Sequence, residues 1–351
     1  MRPSEESIPN NILIKTYEKD PEKVLQETLY KKYGQRFLKY RETYNKIISD
    51  DEHKYFFDYP LTVVLELVNR CDLQCVMCYQ GFRNDAEKFT VNEDVLDKIF
   101  DDFKKNKLSA LMLTSSEPLL YKQIDKVLKR AKEAEIMDIF LFTNGTLLNE
   151  KNSEMILNSG VTRLFISIDA ATEETYNKIR IPTSKRLLES NRLEKLETNI
   201  KRFIEMKNSR KQALPLTRVS FVALEENKHE VEMFQNKWKN IVDSVEVQRE
   251  TSIEIYSKLE NLSENQKDES NDIKIKYNCN KPWGDMAIYS DGKVGPCCNL
   301  VGRKTPIGNI KDNTISEIWN GKKMNFLREG FINNNPNKIC KLCIESQKVN
   351  I

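Results

Sequence analysis

The sequence has no long hydrophobic run. The longest, Leu61 to Val68, is short and is interrupted by Glu66, which excludes a membrane-spanning helix of about 20 apolar residues. The first residues, rich in Glu, Asn and Lys, contain no apolar segment of the signal-peptide kind, and the expected location is the cytoplasm. Charge of one sign is missing too. A formal net charge of +3 from 56 basic and 53 acidic residues gives no broad field for nucleic acid or an anionic membrane, and neither is expected as a partner. Histidine is scarce: His53 and His229 are the only two and neither stands among the cysteines, so a Cys/His zinc site has little support. Cysteine, by contrast, is present and clustered. Eight thiols in a reducing compartment point to ligation rather than to disulfides.

At 351 residues the chain is long enough to bury a large core. Residues 1 to about 60 are highly charged and read as a helical extension, with apolar and aromatic residues at helical spacing from Val24 to Ile48 and no internal proline. From Leu61 the pattern becomes short β-rich runs separated by amphipathic stretches. Strands are expected at Leu61–Val68, Ala110–Thr114, Asp138–Thr143, Arg163–Ile168, Thr217–Val222 and Ser244–Gln248, with helices between them. Such alternation implies right-handed crossovers and a parallel sheet, either a partial (β/α)6 TIM-like barrel or an open doubly wound sheet. Ligands of both architectures sit at the C-terminal ends of the strands. The barrel region is taken as 61–256, a polar connector without Gly or Pro as 257–274, and a small α+β module as 275–351, where five of the eight cysteines lie.

Immediately after the first barrel strand stands Cys71-Asp-Leu-Gln-Cys75-Val-Met-Cys78. Three thiolates on one tight loop can hold three irons of a cubane cluster and leave the fourth open for chemistry. Buried free cysteines or part of a zinc site are the plainer readings of the same residues. Three more motifs fall at strand ends: Thr114-Ser-Ser-Glu117-Pro-Leu119, Phe142-Thr143-Asn144-Gly145-Thr146, and Ser167-Ile-Asp169 followed by a helix from Thr172 to Arg180. Taken singly, Glu117 reads as a surface carboxylate, Asn-Gly as a tight turn, Thr172 as an N-cap and Arg180 as half of an ion pair.

In this order the motifs resemble those of the radical S-adenosylmethionine (SAM) superfamily. The resemblance implies a partial (β/α)6 barrel in which Cys71, Cys75 and Cys78 hold a 4Fe-4S cluster and SAM chelates the fourth iron. It also implies that Glu117 meets the SAM ammonium, Thr143 and Asn144 lie near the ribose, and Ser167 and Arg180 contact the ribose or carboxylate. Where the family has an aromatic residue before the third cysteine, this chain has Met77, with Tyr79 after the cysteine, as candidates beside the adenine. Both glycines of the family's Gly-Gly-Glu-Pro motif are serines, Ser115 and Ser116.

The later cysteines read Cys279-Asn-Lys-Pro-Trp283, then Asp291-Gly-Lys-Val-Gly-Pro-Cys297-Cys298, then Cys340-Lys-Leu-Cys343. Tyr289 to Val294 reads as a hairpin that brings its flanks together. By spacing alone, structural zinc and an iron-sulfur cluster fit equally. The run Cys-x12-Gly-x4-Cys, the Gly-Asn-Ile segment at Gly308, the helix start Ile315 to Trp319, Leu327-Arg328 and the closing C-x2-C resemble the SPASM/twitch extensions of radical SAM enzymes. This resemblance implies a second, auxiliary 4Fe-4S cluster on Cys279, Cys297, Cys340 and Cys343.

A cluster closed by four thiolates has no iron free for substrate, so its natural role is to accept an electron. The expected reaction is then hydrogen abstraction by a 5′-deoxyadenosyl radical followed by net two-electron oxidation, with an external donor such as flavodoxin or ferredoxin. A segment around Phe57-Asp-Tyr-Pro60 resembles relatives associated with carbohydrate biosynthesis, which suggests a small sugar-like substrate. A peptide substrate, an epimerisation with Cys298 as hydrogen donor, and a non-catalytic iron-sulfur or zinc protein are the alternatives.

Overall fold

The structure is a computed structural model that describes residues 12–17, 19–53, 55–79, 88–184, 190–250, 276–297 and 300–348. It opens with a strand, β1 (Ile12–Thr16), then α1 (Pro21–Tyr33) and α2 (Gln35–Ile48). Asp20 starts α1 by accepting from the backbone N–H of Glu22 at 3.0 Å, with Pro21 preset for the first turn. Gly34, at φ +54°, divides the two helices. The N-terminal extension is helical over Val24 to Ile48 as its spacing predicts, but it also holds a strand that the helical reading of residues 1–60 did not include: β1 runs antiparallel along the outer edge of the last barrel strand.

Six strands then pair in parallel in chain order: β2 (Thr62–Leu65), β3 (Ala110–Leu113), β4 (Asp138–Thr143), β5 (Arg163–Ser167), β6 (Leu216–Ala223) and β7 (Ser244–Arg249). Every residue of β2 is buried, as a parallel strand covered on both faces requires. The crossovers carry α3 (Glu93–Asn106), α4 (Ile124–Glu133), α5 (Glu150–Ser159), α6 (Glu173–Ile179), α7 (Arg192–Ser209) and α8 (Val231–Trp238). Their apolar stripes face the sheet; α4, for example, buries Ile124, Val127, Leu128 and Ala131. The sheet does not close, because β1 ends one side and a C-terminal hairpin the other. This is the partial (β/α)6 barrel, one of the two architectures the alternation allows and the one the family resemblance implies.

The helical extension stands at the N-terminal end of the strands. Leu25, Leu29, Phe37 and Tyr40 pack on Ala110, Met137 and Leu216, all at or beside strand starts. Arg163 pairs with Asp138 and Glu22 and so ties α1 to the feet of β4 and β5. The opposite end is left for chemistry.

The C-terminal residues comprise α9 (Lys281–Gly284), β8 (Asp285–Ile288), β9 (Lys293–Gly295), α10 (Leu300–Lys304), β10 (Gly308–Asn309), α11 (Ile315–Trp319), α12 (Lys322–Ile332) and α13 (Lys338–Lys348). The expected hairpin is present as β8 and β9. β8 also pairs in parallel with β2, Thr62 opposite Asp285 and Leu65 opposite Ile288, so one ten-stranded sheet runs through both parts of the chain. The connector expected at 257–274 lies outside the described residues.

Candidate active site and auxiliary thiol cluster

Everything the motifs nominate around the first cysteine loop meets in one cavity of about 350 Å³ at the C-terminal ends of the strands. Cys71, Cys75 and Cys78 line it, as do Met77, Tyr79, Glu117, Thr143, Asn144, Ser167 and Arg180. Gln248 and Arg249 from the end of β7 complete the far side. This clustering follows from topology: each parallel strand delivers its C-terminal loop to the same face.

Glu117 is the buried anchor. Its carboxylate accepts from Thr143 Oγ1 at 2.9 Å, Asn144 N at 2.7 Å and Leu119 N at 3.1 Å. Burial pushes the carboxyl up to about 7 against the pull of these donors, so it is poised between its neutral and ionised forms. The loop that presents it keeps the shape glycine would give it. Ser115 sits at φ +82°, and its carbonyl accepts from the Tyr79 hydroxyl at 3.0 Å. A side chain in that region costs roughly 1–2 kcal/mol, which the surrounding contacts offset. Gly145, at φ +75°, has no such latitude, since a Cβ there would come within 2.5 Å of Leu196.

Three residues that the motif reading passed over build the rest of the frame. Asp72 accepts from Asn144 Nδ2 at 2.7 Å and from Thr146 Oγ1 at 2.6 Å, joining the cysteine loop to the turn after β4. Asp169, fully buried at φ +63°, holds the Arg180 guanidinium and accepts from Val222 N at 2.8 Å. Arg180 is thus both ion-paired and cavity-lining. It follows α6, which Thr172 caps and whose first turn the buried Glu230 carboxylate holds through Thr172 and Thr175. No local signal marked Asp72 or Asp169, since the groups they hold lie 72 and 74 residues away for Asp72 and 53 and 11 residues away for Asp169.

The sulfur environment fits an iron-sulfur cluster. Arg180 Nη1 stands 3.5 Å from Cys75 Sγ and Asn144 Nδ2 3.5 Å from Cys71 Sγ, two donors aimed at sulfurs that carry negative charge once metal is bound. Burial, with the nearby carboxylates adding to it, pushes the Cys71 and Cys75 thiols up, so their ionisation calls for a compensating positive centre.

The second thiol set is assembled from separated segments. Cys279 precedes α9, Cys297 follows β9, and Cys340 and Cys343 lie on α13. Burial pushes Cys340 up to about 12, with Cys279 and Cys343 close enough to add to it. The helix α13 packs on α10, the helix that begins shortly after Cys297. Cys298, the candidate hydrogen donor, lies outside the described residues. Beside Cys297 a buried hydroxyl, that of Tyr289, has no hydrogen-bond partner among the described residues, and a Cβ added at Gly302 would come within 3.2 Å of Cys297 Sγ. An orphaned donor next to a sulfur, in space kept open by a glycine, fits a bound cluster. Among the described residues no three His, Cys, Asp or Glu side chains already converge as a single-ion site, and no helix is long and apolar enough to cross a membrane.

Comparison with known proteins bears on the same two regions. Residues 65–201 match the model of the radical SAM superfamily, and residues 279–344 match that of an iron-sulfur cluster-binding domain, SPASM. The GTP 3′,8-cyclase of Clostridium perfringens (strain 13 / Type A) is 33% identical over 143 residues, 39% of this chain and 43% of that protein. The probable GTP 3′,8-cyclase of Methanocaldococcus jannaschii is 30% identical over 118 residues, 33% of this chain and 38% of that protein. These matches span about two fifths of the curated relatives' length. Among solved structures, native anSMEcpe with bound AdoMet superposes with a TM-score of 0.56 at 16% identity, covering 78% of this chain and 84% of that one. Streptococcus suis SuiB bound to S-adenosylmethionine gives 0.53 at 15% identity, covering 91% and 88%. BtrN in complex with AdoMet and 2-DOIA gives 0.50 at 15% identity, covering 80% and 89%. At these identities the likeness shows the fold.

Proposed function

Since the chain belongs to the radical SAM superfamily and carries a C-terminal SPASM iron-sulfur domain, we propose that it oxidises a sugar-like small molecule by two electrons at a carbinol carbon. The first cluster and SAM, when bound, supply a 5′-deoxyadenosyl radical able to take hydrogen from an unactivated carbon. The carbinol carbon gives up one hydrogen atom, and loss of one proton and one electron then leaves a carbonyl. The auxiliary cluster is the acceptor of that electron, and an external donor such as flavodoxin or ferredoxin reduces the first cluster.

In this reading Cys71, Cys75 and Cys78 hold the first cluster, and Cys279, Cys297, Cys340 and Cys343 the second. Glu117 receives the SAM ammonium, Thr143 and Asn144 face the ribose, Ser167 and Arg180 face the ribose or carboxylate, and Met77 and Tyr79 flank the adenine. Gln248 and Arg249 are left to position substrate from the end of β7.

The observation that carries the proposal is the pairing of β2 with β8. The strand that feeds the first cysteine loop lies beside the hairpin that leads to Cys297, so one continuous sheet carries both thiol sets, which supports a radical site and an electron acceptor in the same molecule. A peptide substrate is the second reading. It is favoured by two structures of the same fold, SuiB bound to the precursor peptide SuiA and anSMEcpe with the Cp18Cys peptide, with TM-scores of 0.53 and 0.55.

Two measurements test this. Iron and zinc analysis of anaerobically reconstituted protein should give about eight irons, falling to about four in a Cys71/Cys75/Cys78→Ala variant; zinc in place of the second four irons would remove the electron acceptor and the oxidation with it. Candidate sugars deuterated at the carbinol carbon should then pass label into 5′-deoxyadenosine. No transfer from any sugar, with transfer from a labelled peptide, would decide for the peptide reading.

A further inference from the structure

We propose that the Tyr289 phenol donates a hydrogen bond to the auxiliary cluster, at the Cys297 sulfur or the sulfide beside it, and thereby raises that cluster's reduction potential. The inference deepens the functional reading above and rests on its assignment of Cys297 as a ligand.

Tyr289 directly follows β8 and is 4% exposed, yet its hydroxyl has no hydrogen-bond partner among the described residues. Buried tyrosine hydroxyls ordinarily find one. The ring is held firmly. The Arg303 guanidinium covers its face at 4.1 Å, and Arg303 is itself fixed by the buried Glu66 carboxylate at 2.5 Å and by Asp291 at 3.6 Å. The hydroxyl therefore has one place to be. A Cβ added at Gly295 would lie 2.8 Å from it, and one added at Gly302 would lie 3.0 Å from it and 3.2 Å from Cys297 Sγ. Hydroxyl and sulfur thus approach the same point beside Gly302, which keeps a side chain out of that space, while Gly295 leaves room for the hydroxyl itself. The polar groups of Glu66 and Ser290 are engaged with Arg303 and with each other, the serine hydroxyl donating to the carboxylate at 2.7 Å.

A hydrogen bond to a cluster sulfur disperses the negative charge that arrives on reduction, so the reduced form gains more than the oxidised one. An electron acceptor benefits from that direction of shift. Tyr289 is accordingly a positioning and tuning residue for the cluster rather than a catalytic one.

The test is a redox titration followed by electron paramagnetic resonance on the full-length, anaerobically reconstituted protein, with Tyr289→Phe compared with wild type. Running both also in the Cys71/Cys75/Cys78→Ala background isolates the auxiliary signal. Tyr289→Phe should keep its auxiliary iron and shift the reduction equilibrium about tenfold toward the oxidised form, about 59 mV for one electron. Wild type should also show, by pulsed electron–nuclear measurements in heavy water, an exchangeable proton coupled to the reduced auxiliary cluster that the variant lacks. An unchanged potential with the cluster intact overturns the proposal, as does an unchanged proton coupling. If Tyr289→Phe sheds the cluster, the heavy-water spectrum of wild type decides, because absence of any such proton overturns the proposal whatever the variant does. A wild type holding only about four irons would instead overturn the auxiliary-cluster reading itself.

Discussion

The bond between Asp72 and the turn after β4 makes a sharp prediction about cofactor affinity. Asp72 stands inside the cysteine loop and accepts from Asn144 Nδ2 at 2.7 Å and Thr146 Oγ1 at 2.6 Å, both partly buried. Hydrogen bonds to a charged group contribute about 1.5–3 kcal/mol each, and partial exposure places these near the lower end. Asp72→Ala removes both, about 3 kcal/mol of loop organisation, and should weaken SAM binding by on the order of 100-fold if that organisation is what binding requires. The cleaner quantity is the coupling between Asp72 and Asn144, about 1.5 kcal/mol or roughly tenfold, which a double-mutant cycle isolates from whatever each residue does alone. SAM dissociation constants would be measured on Asp72→Ala, Asn144→Ala and the double variant, all reconstituted to equal iron content. Losses that simply add, to within about 0.5 kcal/mol, would refute the claim that the two loops act as one unit.

Other consequences are as direct. Glu117 has its folded value raised to about 7 from an ordinary 4.5, so its contribution to stability is complete below about pH 4.5 and is lost as pH rises through 7, on the order of 3 kcal/mol in all. Urea midpoints of the cluster-free protein should show this loss between pH 4.5 and 8, and Glu117→Gln should flatten it; an unchanged slope in the variant would count against the shift. Ser115→Gly relieves the strain at φ +82° but adds unfolded-chain freedom, so a gain within about 1 kcal/mol is expected, whereas Ser115→Val should cost about 2 kcal/mol. Equal midpoints for the two variants would show that the loop does not need this conformation. Arg163→Met strands the buried Asp138 carboxylate and frees Glu22, with an expected loss of about 3–5 kcal/mol in urea denaturation; a loss under about 1 kcal/mol would mean that α1 is docked by its apolar face alone.

Much of this was legible in the sequence because parallel barrel strands are short, doubly buried and bounded by turns. Asp138–Thr143 was read to the residue, and the six-strand count followed from the same punctuation. The strand at Ile12–Thr16 was not legible: its five residues sit in a charged extension, and what makes them a strand is a partner beyond residue 243. The pairing of β8 with β2 was hidden for the same reason, since a separate module and a continued sheet share one local pattern. Within the site the cysteines and Glu117 were legible from spacing and order. Asp72 and Asp169 were not, because an acidic residue in a turn is ordinary until the loop it reaches is known. Ser115 shows the limit of residue type as a guide, for tertiary contacts hold a serine where glycine is preferred.

The contact of β2 with β8 also bears on how the chain comes to be folded during synthesis. β2 is an interior strand only because β8 lies along it. Until that much later segment has left the ribosome, four buried-type residues, Thr62 to Leu65, form the open edge of the nascent barrel, next to the cysteines that must capture iron. An edge of that kind invites pairing with another chain. Truncation ahead of Asp285 would make the exposure permanent, so the barrel cannot be expected to persist as a soluble fragment.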